Sequence, residues 1–285
     1  MTRSKCKQRW LVLFNCQAMG LASSLQLLCD EIEVVYHDPS SFAADPGGIT
    51  SSLDGYDRVI IAPWVEHSLG ISLGDRANVR RVPAFHFSAY HPDLLNLSVV
   101  GGPLRGNHSA LAYSAFRAGL GICDTLRLYR AQVYEAMGFF DQWDCEREGL
   151  LARYSSAGID LSGDFIQWTR SGSFAYIPAH PKVACLRDIA KAALRREGLP
   201  VRNTSYLPHD VLANGVSYPV YPEIASRLGT EGDYLFKIPM QYRLIGLESF
   251  VRDSYAFYAA TPDLVPTAPY LPVVERALDV IGKLG

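Results

Sequence analysis

Leu11-Val12-Leu13-Phe14-Asn15-Cys16-Gln17-Ala18-Met19-Gly20 is the stretch that decides the fold. An apolar run stops at a polar triplet, and Gly20-Leu21-Ala22-Ser23-Ser24-Leu25 follows with helical spacing. The pattern reads as a buried strand, a sharp turn and a helix start, with the Cys16 thiol on the turn. In an open α/β sheet, ligands sit in the crevice outside the carboxyl ends of the strands. A thiol there, beside the positive end of a helix, can have a lowered pKa and act as a nucleophile. The alternative is a plain packing cysteine, since free Cys is among the most buried residue types.

Outward from this stretch, three segments repeat the pattern of an apolar run closed by polar or special residues. Residues 32–36 close at His37-Asp38-Pro39, and residues 58–62 close at Pro63-Trp64. Residues 82–87 lead into Ser88-Ala89-Tyr90-His91-Pro92-Asp93. Helical spacing covers 21–29, so strands and helices alternate as in a parallel sheet with covering helices. The middle of the chain turns helical at 109–119, 124–137 and 145–154, with a break at Gly119-Leu120-Gly121. A further strand-like run at 174–178 ends at Ala179-His180-Pro181-Lys182, before an amphipathic helix over 183–197. The expected organisation is therefore an α/β core in two halves, 1–95 and 166–285, around a mainly helical insertion or cap at 96–165. The Pro- and Tyr-rich tail (218–222 and 262–272) is expected to wrap the surface, with a last helix near 272–284.

Composition excludes several classes. A 285-residue chain can bury a full core, as one large α/β domain or two small ones. With 48% hydrophobic and 20% charged residues it is of ordinary globular composition. A net charge of −2 gives no general pull toward nucleic acid or an anionic membrane, so an anion site must come from local geometry. No apolar stretch approaches the roughly 20 residues of a membrane span, and 11–14 is too short for a signal-peptide core. The six cysteines form no C-x-x-C pair or small-domain framework, which argues for reduced thiols and a cytoplasmic protein. The seven histidines are scattered without ligand spacing, so no metal site is expected.

Three strand ends then offer chemistry: Cys16, His91 and His180. The carboxyl ends of a parallel sheet share one edge, and a thiol beside an imidazole is a simple activated nucleophile. Each histidine has a structural alternative. His91-Pro92-Asp93 can cap a helix or turn, with Asp93 in its first turn. His180-Pro181-Lys182 can form a helix entrance, where backbone N–H groups and Lys182 would hold a phosphate or carboxylate. His37, His67, His86, His108 and His209 have no comparable context. Arg76, Arg80 and Arg81 make a basic cluster that is either a solvated face or a partner for phosphates. Lys237 follows the aromatic run Tyr234-Leu235-Phe236, either as a site cation or as part of a plain edge strand.

Asn15-Cys16-Gln17, Tyr90-His91-Pro92-Asp93 and the run from Phe174 to Lys182, in that order, resemble the WcbI-like polysaccharide-biosynthesis family. Tyr221-Pro222-Glu223-Ile224-Ala225, followed by Tyr234 to Lys237, is similar to that family's C-terminal pattern, and the resemblance runs from about 10 to 260. It implies an α/β core similar to the SGNH hydrolases, with cysteine in place of serine and a largely helical subdomain. It also implies an O-acetyltransferase that moves an acetyl group from acetyl-CoA to a capsular or other cell-surface sugar. Cys16, His91 and His180 would then be catalytic, with Asn15, Gln17, Lys182, Arg76 and Lys237 on the CoA side. Phe14 and Ala179 depart from the family's usual Gly and Asn. Two rival functions stay open: an esterase or deacetylase using water, and a CoA-binding protein without chemistry. The acceptor sugar and the oligomeric state are not encoded in any readable motif.

Overall fold

The structure, a computed structural model, describes residues 7–68, 73–74 and 76–284. Cys6 and the rest of the basic stretch before Lys7 lie outside the described residues. The chain divides into two compact units. The first takes residues up to 86 with 147–175 and 179–212, and the second takes 87–146, 176–178 and 213–285.

The first unit is built on a four-stranded sheet of β1 (Gln8–Leu13), β2 (Ile32–His37), β3 (Arg58–Ile61) and β4 (Val79–Arg81), in spatial order β2-β1-β3-β4. All its pairings are parallel, with Leu11 opposite both Val35 and Val59. The fold is α/β, as expected from the alternating pattern. Trp10, Leu11, Val12 and Leu13 have no exposed surface, as befits a central strand covered on both faces. Helix α1 (Ala18–Leu28) packs on the helix Val183–Arg196. A Cβ at Gly20 would stand 2.6 Å from Leu186 Cδ1, so the close approach depends on glycine. Chain order reverses between β1 and β3, which makes the loops after these strands the ligand-binding crevice of such a sheet.

The fourth strand differs from expectation. Its ladder covers Val79–Arg81, while the apolar run 82–87 continues it with a single sheet bond, Val82 N–H to the Ile61 carbonyl (2.9 Å). Pro83 has no N–H to donate, and the amide and carbonyl of Phe85 are both bonded to a side chain, that of Gln17.

The second unit contains the helices Ala110–Arg117, Ile122–Leu126, Ala131–Met137, Leu247–Ala260 and Leu271–Leu284, and an antiparallel hairpin of Leu235–Ile238 with Arg243–Gly246. The helical pattern at 124–137 is two short helices, because Arg130 is extended (φ −156°) where the second begins. The Pro- and Tyr-rich tail wraps the surface only in its second stretch, 262–272, where Leu264 alone is buried; the first stretch, 218–222, is interior. Tyr218 and Tyr221 are buried at 2% and 1% exposure, and Phe236 stacks on Phe250 with centroids 4.0 Å apart. Among the described residues no helix is long and apolar enough to cross a membrane.

Candidate active site

Cys16 sits on the turn between β1 and α1. Asn15 Oδ1 accepts the Gln17 backbone N–H (3.0 Å) and the Asn15 carbonyl accepts Ala18 N–H (2.9 Å), which fixes the bend. The Gln17 side chain points the other way and is fully buried. Its Nε2 donates to the carbonyls of Phe85 (2.9 Å) and Ala179 (2.8 Å), and its Oε1 accepts Phe85 N–H (3.0 Å). Gln17 therefore fastens the turn to the two segments that follow β4 and precede His180. Cys16 itself is left accessible between these bonded neighbours.

Accessible does not mean solvated on every side. Neighbouring protein still desolvates the Cys16 sulfur, and this burial pushes the thiol up to about 11, with its own backbone N–H drawing it partly back. The start of α1 has no side-chain cap and no acidic residue in its first turn. A helix end contributes about 0.3–1 kcal/mol, less than one pKa unit, so burial outweighs it. The lowered pKa expected from the helix start is not what the site provides: at neutral pH Cys16 is a protonated thiol.

An imidazole stands at the next bonded position. His180 follows Ala179, whose carbonyl Gln17 holds. Its Nδ1 is buried and makes no hydrogen bond to protein. Burial lowers the imidazole pKa, and the carboxylate of Asp210 raises it in part. Asp210 also accepts the Val183 backbone N–H at 2.9 Å, at the start of the helix Val183–Arg196. The helix entrance expected to bind an external anion thus already holds the chain's own carboxylate. Lys182 is the residue preceding that helix, and its N–H bonds the Phe174 carbonyl (2.9 Å).

Beside the turn lies a cleft of about 620 Å³ lined by Asn15, Trp64, Phe85, His86, Arg153 and Ala179 among others; Cys16 and His180 adjoin Asn15 and Ala179 in the chain but are not part of its lining. It collects the segments after β1, β3 and β4, as the sheet topology requires. Of the remaining expected cations, Arg76 pairs with the Asp54 carboxylate, and Arg81 grips Glu66 through two 2.9 Å bonds.

His91 and Lys237 lie in the second unit. Burial lowers the His91 imidazole to about 3; the Tyr218 backbone is near enough to oppose this slightly, but neither ring nitrogen completes a hydrogen bond. Asp93 does not serve a helix at 91–95. It accepts Leu111 N–H (2.9 Å) in the first turn of Ala110–Arg117, and hydroxyls of Tyr221 (2.6 Å) and Tyr218 (3.2 Å). Burial still raises its carboxyl to about 6, against these bonds. Lys237 Nζ donates to the Ala213 and Gly215 carbonyls, the latter at 2.9 Å, and lies 4.8 Å from the centre of the Tyr242 ring.

Sequence reasoning missed Asp210, Arg153 and the place of His86 in the cleft. Asp210 stands 30 positions after His180 with no motif joining them, and only the fold makes them neighbours.

The sequence profile of the family described as polysaccharide biosynthesis enzyme WcbI matches residues 9–202. A solved structure of WcbI, described as a novel polysaccharide biosynthesis enzyme and as the native protein without a disulfide bond between CoA and a cysteine, is similar in fold. The TM-score is 0.71 at 17% sequence identity, over 96% of this chain and 99% of that one. No curated protein matches the chain. Matched over well more than half its length, from the first strand through the helix that carries Arg196, the chain belongs to the WcbI family of polysaccharide biosynthesis enzymes.

Proposed function

We propose that the protein is an acyltransferase that moves an acetyl group from acetyl-CoA to a hydroxyl of a cell-surface sugar or its precursor. The observation that carries this reading is Cys16, exposed on the turn at the sheet's order reversal and linked through Gln17 to the segment bearing His180 and its carboxylate neighbour Asp210. The similar WcbI structure is described by reference to a disulfide between CoA and one of its cysteines, which supports placing the CoA thiol near Cys16 here.

His180 takes the Cys16 proton as sulfur attacks the thioester carbonyl, and returns it to the departing CoA thiolate. The sugar hydroxyl then gives its proton to His180 and attacks the acetyl-cysteine, and the Cys16 sulfur leaves with that proton. The Gln17 N–H is committed to Asn15 Oδ1 and the Ala18 N–H to the Asn15 carbonyl, so of this turn's amides we assign the Cys16 N–H to the developing oxyanion. We assign the base to His180 rather than His91 because the His91 ring is wholly buried and, with its pKa lowered to about 3 by that burial, is too weak a base to take a thiol proton. Asn15 lines the acyl side of the cleft, while Gln17 serves it through the scaffold. The high pKa of Cys16 favours a second version, in which His180 activates the sugar hydroxyl directly and Cys16 stays protonated beside the donor.

Intact-mass measurement after mixing with acetyl-CoA separates the two. The first version predicts a gain of one acetyl group, lost in Cys16→Ala. Undiminished turnover in Cys16→Ala would sink it and leave direct transfer. Acetyl ester hydrolysis with no dependence on CoA would overturn both.

A further inference from the structure

The edge strand β4 faces a second hollow in the first unit, of about 530 Å³, lined by Arg80, Arg81, Ser156, Ala157, Arg196 and Glu197 among others. The Arg81 fork is occupied by Glu66. The other two, Arg80 and Arg196, share one carboxylate with Arg58, which is not part of the lining. Glu197 Oε2 accepts from Arg58 Nε (2.6 Å), Oε1 accepts from Arg80 Nε (2.7 Å), and the same Oε1 lies 3.5 Å from Arg196 Nε. Three guanidiniums around a single carboxylate leave two positive charges uncompensated. Arg196 is the odd member of the group. Its Nη1 donates to the Ala157 carbonyl (2.7 Å), but its Nε and Nη2 are buried and make no hydrogen bond to protein. Buried donors are costly to leave unmet, and a guanidinium fork fits the oxygens of a phosphate.

The hollow is not remote from the turn that carries Cys16. Ser156 lines both this hollow and the cleft that Asn15 enters. Arg80 and Ala84, one from each lining, are four residues apart in the chain and so at most about 14 Å apart. We infer that the arginine hollow binds a phosphate group of an elongated nucleoside phosphate whose other end reaches the Cys16 turn. The nucleotide end of CoA and the diphosphate of a sugar nucleotide share this chemistry. The inference deepens the acyl-donor reading and rests on it only for what the far end of the ligand does.

Calorimetric titration of the full chain with 3′,5′-ADP, UDP and inorganic phosphate tests it, in wild type, Arg196→Gln and Ser156→Asp. Ser156 is exposed at a helix end, so its carboxylate variant leaves the arginine frame intact and opposes an incoming phosphate. Wild type is expected to bind at least one nucleotide, with affinity at least about tenfold weaker in both variants. Tighter binding of 3′,5′-ADP marks the CoA nucleotide as the occupant, and tighter binding of UDP marks a sugar nucleotide. No nucleotide binding to wild type overturns the inference, as does binding of inorganic phosphate alone. An affinity within about twofold of wild type in folded Ser156→Asp overturns it too, whatever Arg196→Gln does to folding. Nucleotide binding that persists in a protein without acyl transfer would instead remove the acyl-transfer reading and leave the phosphate site standing.

Discussion

At the scale of the residue, burial and neighbouring charge set two protons, those of Cys16 and His180, on which the proposed chemistry rests. The Cys16 thiol is held near 11 in the absence of ligand, so its alkylation by iodoacetamide should be slow at pH 7 and climb through pH 9 to 11. A rate plateau below pH 8 would contradict that environment. His180 is neutral at pH 7, because burial lowers its pKa, while Asp210 holds it up in part. Removing that charge with Asp210→Asn lets the pKa fall further, so the acidic limb of the rate profile should move to lower pH as the rate at its plateau drops. A shift to higher pH would show that Asp210 does not act on His180. The thiol was legible from sequence because a strand end, a cysteine and a helix start are contiguous. Asp210 was not, because its meeting with His180 depends on where a helix begins and not on any spacing between the two.

At the scale of the element, β1 and β3 could be read because their apolar runs are long enough to be covered on both faces, and the half-exposed edge strand β2 because its run closes at His37-Asp38-Pro39. The fourth could not be bounded, because an apolar run does not say where its hydrogen bonds go. Residues 82–87 look like a strand, yet Phe85 is bonded to the amide of Gln17. Gln17→Ala would leave Phe85 N–H and two carbonyls without partners inside the protein. At about 1–3 kcal/mol for each buried group left unsatisfied, a loss of at least about 3 kcal/mol is expected in urea unfolding. A cost below about 1 kcal/mol would mean that solvent replaces these bonds. The contact of α1 with Val183–Arg196 gives a second test. Gly20→Val overfills the approach to Leu186 and should destabilise by about 1–3 kcal/mol.

At the scale of the whole molecule, the α/β class followed from alternation alone, while the buried tyrosines of the tail did not. Proline and tyrosine in a tail suggest loops, and nothing local says that Tyr218 and Tyr221 are bonded to a carboxylate 125 and 128 positions earlier. That interior makes stability depend on pH in opposing ways. His91 has a folded pKa near 3, below its unfolded value near 6.5, so its contribution is present above pH 6.5 and is lost as pH falls toward 3. Asp93 has a folded pKa near 6, above its unfolded value, so its contribution is present below about pH 4 and is lost as pH rises through 6. His91→Phe keeps the ring and removes only the first term. Between pH 7 and pH 5 the variant should gain about 2 kcal/mol on wild type in denaturant unfolding. A gap that does not change with pH would show that the His91 ring is not held neutral in the folded state.

The Gln17 amide behaves as one loose rung of sheet, a side chain imitating a peptide unit. It gives the Phe85 amide proton a partner although Phe85 belongs to no strand. That single proton is therefore a built-in gauge of the turn: its exchange with deuterium should be as slow as in a strand while the turn is seated. Any ligand that displaces the turn to reach the Cys16 sulfur would be registered there as faster exchange, one peptide at a time.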